Sequence, residues 1–98
     1  MKKLTVAVAG LGMVGRETVR LLRKRRAELR ERLGAELTLI AVADRQVGRE
    51  ARALSLPGCV VRYADPVAMA RSSDADLFVE LLGGFDAPRR FALEALGR

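Results

Sequence analysis

At 98 residues the chain has room for one hydrophobic core but falls short of the two domains of a self-contained enzyme subunit. Half of it is apolar, yet no stretch approaches the ~20 consecutive apolar residues of a membrane span, and the short apolar run behind Met1-Lys2-Lys3 ends in glycines, which argues against a secretory signal and makes the cytoplasm the expected compartment. A formal charge of +6 would suit nucleic acid, but no aromatic residue interleaves with the basic cluster between Arg16 and Arg32, so stacked bases would find no platform and nucleic acid is not expected as a partner.

Residues 4–9 are apolar and β-branched, which predicts a first strand. Glycines then break the pattern, and helical spacing begins at Met13 with Val14, Thr18, Leu21, Leu22, Leu29 and Leu33 on one stripe, interrupted by Arg25 and stopped by Gly34. A helix of about 20 residues would run ~30 Å, so its arginine-rich second half is expected to overhang the sheet. That half carries most of the excess charge and reads as a solvated face. Residues 37–43 form a continuous apolar run, the mark of a parallel strand covered on both faces, ending at Asp44-Arg45. A short helix is predicted over 47–54, a turn at Pro57-Gly58, and a short edge strand over 59–61. Asp65 and Pro66 fit the N-cap and first position of a brief helix. Residues 76–82 then give a fourth strand closed by Gly83-Gly84, and Asp86 or Ala87 caps a last helix with Phe91, Ala92 and Ala95 inward.

Strand and helix alternate throughout, so right-handed crossovers predict an α/β, Rossmann-type half domain over residues 1–98: a parallel sheet of about four strands in the order 3-2-1-4 with helices on both faces. The fourth strand is then left as an open edge, through which the chain is expected to self-associate unless a fifth strand covers it.

The segment Gly10-Leu11-Gly12-Met13-Val14-Gly15 spells GxGxxG between the first strand and its helix. There Gly10 permits a tight turn, Gly12 lets the backbone approach a pyrophosphate, and Gly15 lets the helix lie close; the N–H groups near Met13 and Val14 would face the phosphates. A nicotinamide dinucleotide, NAD or NADP, is the expected ligand. Asp44, at the end of the second strand, suits the adenosine ribose hydroxyls and NAD, although it falls 29 residues after Gly15 instead of the usual ~20, the excess being taken up by the basic helix. Its neighbour Arg45 suits the 2′-phosphate of NADP, so the pair leaves the choice of cofactor open. Gly83 and Gly84 leave room beside the crevice for the nicotinamide ribose. Glu80 stands in the otherwise apolar fourth strand, either at a sheet edge or in the crevice. No histidine, Cys pair or acidic cluster at metal spacing occurs, so neither a metal site nor a histidine general acid or base is expected, and no catalytic residue is assigned; Cys59 has no partner for an internal disulfide.

Together, residues 8–15, the arginine-rich helix, Ala41-Val42-Ala43-Asp44-Arg45 and Val79-Glu80-Leu81-Leu82-Gly83-Gly84 resemble the N-terminal cofactor domain of homoserine dehydrogenase over essentially the whole chain. The resemblance implies NAD(P)-dependent interconversion of homoserine and aspartate semialdehyde in threonine and methionine biosynthesis. It places Gly10, Gly12, Met13, Val14 and Gly15 at the pyrophosphate, Asp44 or Arg45 at the adenosine end, and Leu82, Gly83 and Gly84 at the nicotinamide. It also implies that a fifth strand, a lysine motif and a substrate domain lie outside these residues, so the segment is expected to be a fragment that is inactive by itself. The rival expectations are a stand-alone nucleotide-sensing module, the cofactor domain of another dehydrogenase, and a basic nucleic-acid-binding protein.

Overall fold

A computed structural model describes residues 1–83 and 86–97, and of Asp86 and Ala87 the backbone alone. Its strands are β1 (Lys2–Ala9), β2 (Ala35–Ala43), β3 (Val61–Tyr63) and β4 (Leu77–Glu80); its helices are α1 (Met13–Lys24), α2 (Arg26–Leu33), α3 (Val47–Ala53), α4 (Pro66–Ser72) and α5 (Asp86–Leu96). All pairings are parallel, in the order β3-β2-β1-β4, as the alternation of elements predicted. The register of β1 against β2 slips once, between Val6 and Ala7, where β2 carries Ile40 as an extra residue.

The two-residue period of β1 and β2 divides the core by side-chain size. Val6, Val8 and Val42 face α1 and α3, packing with Leu11, Val19, Ala51 and Leu54. Ala7, Ala9, Ala41 and Ala43 face α4 and α5, where small side chains leave room for Met69, Ala70 and the Phe91 ring. Phe91 meets Phe78 edge to face at 5.9 Å between centroids, and Arg71 of α4 bonds Glu94 of α5 at 3.1 Å. That hydrogen bond and the Glu94 charge hold the Arg71 guanidinium above its ordinary pKa.

Several boundaries differ from the sequence expectation, each for a local reason. The long basic helix is two helices, broken at Arg25, whose φ of −108° and ψ of 29° leave the helical region. The break turns α2 back beside the start of β2 instead of over the sheet edge, and Arg26 bonds Glu36 and Thr38 there. Gly34 then ends α2 in the left-handed conformation, as expected. On α1 the buried positions are Gly15 and Val19, with Leu22 packed beside them, while Val14, Leu21 and Leu33 of the predicted stripe are exposed. Residues four and seven apart starting from Gly15 point inward because that glycine must lie against the turn.

The turn at Pro57-Gly58 runs on to Val60, whose N–H donates to the Pro57 carbonyl at 3.1 Å, so β3 begins at Val61 and Cys59 is exposed outside it. At the start of β4, Asp76 accepts from the Thr5 N–H at 2.8 Å and returns its own N–H to Thr5 Oγ1 at 3.0 Å, and this clamp precedes the ladder. At the far end the Glu80 carboxylate accepts from the Leu82 N–H, which ends β4 two residues early. Glu80 is exposed, on the edge strand. On α5, Phe91 is buried and Ala95 half-buried, but Ala92 faces solvent. Asp65 caps α4 as expected, accepting from the Val67 N–H at 3.0 Å.

Candidate functional site

The β1–α1 turn fits the sheet through sterics that only glycine satisfies at two positions. Gly10 has φ +98°, and a Cβ there would stand 2.6 Å from the Leu81 carbonyl oxygen. At Gly15 a Cβ would fall 1.9 Å from the Gly10 carbonyl oxygen, so this glycine serves the turn itself more than the strand the sequence suggested. Gly12 differs from both: its backbone angles suit any residue, and a Cβ would meet nothing within 4 Å. The space beside Gly12 is the space a ligand can occupy.

Leu11 anchors the turn by burial among Val6, Val8 and Val19, worth roughly 1.5–3 kcal/mol for a fully buried leucine. Two hydrogen bonds sew the turn to the end of β2: Gly10 N–H to the Ala43 carbonyl and Leu11 N–H to Asp44 Oδ2, both 2.8 Å. The other Asp44 oxygen, Oδ1, accepts from the Gln46 N–H at 2.8 Å. Asp44 is therefore first a clamp on the turn, a task invisible in the sequence because its partner lies 33 positions away. Each carboxylate oxygen keeps a second lone pair for a ribose hydroxyl.

With Gly10 and Leu11 so engaged, the next N–H groups along the chain open α1. Gly12 is its N-cap and makes no side-chain cap, the first turn carries no acidic residue, and the first intrahelical bond is Arg16 N–H to the Gly12 carbonyl at 2.8 Å. The N–H groups of Met13, Val14 and Gly15 thus lack intrahelical acceptors at the positive end of a 12-residue helix. Donors of this kind fit the doubly charged diphosphate of a dinucleotide.

A cleft of about 670 Å³ opens above the carboxyl ends of the strands, within the usual size of a small-molecule site. Gly10 and Gly12 form one part of its lining, Asp44, Arg45 and Gln46 the β2 side, and residues 64–67 the start of α4; Leu81, Leu82 and Gly83 form the β4 side, and Arg90 reaches in from α5. The cleft therefore gathers Gly10, Gly12, Asp44, Arg45, Leu82 and Gly83 from the sequence-predicted set. Met13, Val14 and Gly15, the first residues of α1, are not part of its lining, and Gly84 lies outside the described residues. Arg90, Gln46 and the α4 start were missed in the sequence. The Asp65-Pro66 cap located the latter without showing that it walls the cleft, and nothing in sequence distinguishes Arg90 from Arg89. Among the described residues no group of His, Cys, Asp or Glu is placed to hold a metal ion, and no helix is long and apolar enough to cross a membrane.

Residues 10–98 match the family described as homoserine dehydrogenase, NAD binding domain. The chain is 37% identical over 93 residues to the homoserine dehydrogenase of Corynebacterium glutamicum, covering 93% of this chain and 20% of that one. It is 30% identical over 96 residues to that of Neisseria gonorrhoeae, covering 98% and 21%. A solved homoserine dehydrogenase from Thiobacillus denitrificans superposes with a TM-score of 0.81 at 31% identity, over 99% of this chain and 22% of the other. The chain thus spans about a fifth of the length of the curated relatives it matches.

Proposed function

The chain belongs to the homoserine dehydrogenase family through its NAD-binding domain, and from that membership we propose that its cleft seats the nicotinamide dinucleotide of an oxidoreductase interconverting homoserine and aspartate semialdehyde. The uncapped start of α1 beside the open space at Gly12 carries this reading. The cofactor, when bound, accepts or donates the hydride. The chain's own residues hold it: the N–H groups of Met13, Val14 and Gly15 take the diphosphate, Asp44 or Arg45 takes the adenosine ribose or its phosphate, and Leu82, Gly83 and Gly84 flank the nicotinamide. The groups that hold the amino-acid substrate and move its proton are assigned to polypeptide outside these residues, as the share of relatives covered suggests. We propose further that the protein serves threonine and methionine biosynthesis in the cytoplasm. The outer edge of β4 is assigned to pairing, with a following strand or with a second copy.

Calorimetric titration with NADH and NADPH tests the seat. Wild type is expected to bind at least one of them, whereas Gly12→Val, free of backbone strain, is expected to keep the far-ultraviolet spectrum and melting temperature and lose binding. A folded wild type that binds neither cofactor overturns the reading. The 98 residues are expected to show no homoserine-dependent reduction of NAD or NADP.

A further inference from the structure

Arginine is abundant in this chain, and most of it is already committed. Seven ion pairs tie Arg16, Arg20, Arg25, Arg26, Arg32, Arg49 and Arg71 to glutamates. Arg23 and Arg62 donate to backbone carbonyls, at 3.0 Å to Leu54 and 2.6 Å to Val60. The two arginines that line the cleft, Arg45 and Arg90, are exposed and have no such partner among the described residues. The carboxylates lining it, Asp44 and Asp65, are instead held by backbone N–H groups. Among the described residues, the cleft thus presents two guanidinium groups with unfilled donors.

Arg45 adjoins Asp44 on the β2 side of the cleft, while Arg90 comes from α5, which packs on the sheet face opposite α1. Its placement is not accidental to the helix. Burial of Phe91 against Phe78, and the Glu94 bond to Arg71, fix the rotation of α5 and leave Arg90 toward the cleft while Arg89 stays out of its lining. On the reading of the cleft as a dinucleotide seat, on which this inference rests, we propose that Arg90 is a cofactor-binding residue that takes the diphosphate from the wall opposite the N–H groups of α1. A guanidinium presents paired donors that match two phosphate oxygens, and the anion would then be held from both sides.

Titration of wild type, Arg90→Gln, Arg90→Lys and Arg89→Gln with NADH and NADPH tests this, with melting temperatures measured in parallel. Because both cofactors share the diphosphate, Arg90→Gln is expected to weaken both about tenfold, the scale of one charge-assisted hydrogen bond, and to flatten the loss of affinity with salt. Arg90→Lys is expected to recover part of the loss, and Arg89→Gln to behave as wild type. Unchanged binding of both cofactors by a folded Arg90→Gln overturns the inference and leaves the dinucleotide seat standing. A loss confined to NADPH overturns it by moving Arg90 to the 2′-phosphate. Failure of wild type to bind either cofactor overturns the seat and the inference with it.

Discussion

Residues 10–15 and residues 16–32 are neighbours in sequence and opposites in construction. In the first segment the positions that shape the turn are spoken for: Gly10 and Gly15 have no room for a Cβ, Leu11 is buried, and Asp44 reaches across from β2 to hold the backbone. The second carries eight bases against three acids, yet most of its arginines are paired, Arg20 with Glu17, Arg25 and Arg32 with Glu28, and Arg26 with Glu36. Charge density and chemical availability are therefore different things. The stretch with the highest positive charge has most of its arginines engaged by glutamates, and the turn with no charge offers the unfilled donors.

The contrast can be broken from the turn side with the largest effect. Gly15→Val drives a side chain into the Gly10 carbonyl and is expected to cost about 3 kcal/mol or more, read by urea unfolding. A stability within experimental error of wild type would show that the turn is less constrained than its contacts indicate. Next comes Asp44→Ala, which leaves the Leu11 N–H without its acceptor. A loss of about 1–3 kcal/mol is expected, with weaker binding of NADH and NADPH alike as the turn loosens. If stability holds and only NADH binding falls, the carboxylate serves the ribose and not the turn. The smallest effect belongs to the basic stretch, where Arg25→Gln removes an exposed pair and is expected to change stability by less than about 0.5 kcal/mol with cofactor affinity unaltered. A large loss there would mean that the helix break at Arg25 is held by its side chain.

Much of the architecture was legible because its signals are local. The continuous apolar run at 37–43, the glycines at 10, 12 and 15 and the Asp65-Pro66 cap each fix an element from a few adjacent residues. Boundaries failed where a distant or side-chain partner intervened, as with Thr5 on Asp76 and Glu80 on the Leu82 N–H. The break at Arg25 escaped because apolar spacing continues past it with Leu29 and Leu33, and only packing against β2 turns the chain. The inward face of α1 was misassigned for a related reason: leucines look like core, but the closest approach is made by a glycine, which hydrophobic spacing does not count.

By itself, the sequence determined the alternation of strands and helices, hence a parallel sheet of known order and the turn that meets a ligand at its carboxyl edge. These follow from backbone preference, side-chain period and the handedness of crossovers, none of which needs a distant partner. Only the tertiary structure decided that Asp44 holds the turn, that Arg90 and not Arg89 enters the cleft, and that most of the helical arginines are engaged by glutamates. Those outcomes depend on which groups meet across the fold, and a hydrogen bond or ion pair has no trace in the order of residues until packing sets its distance.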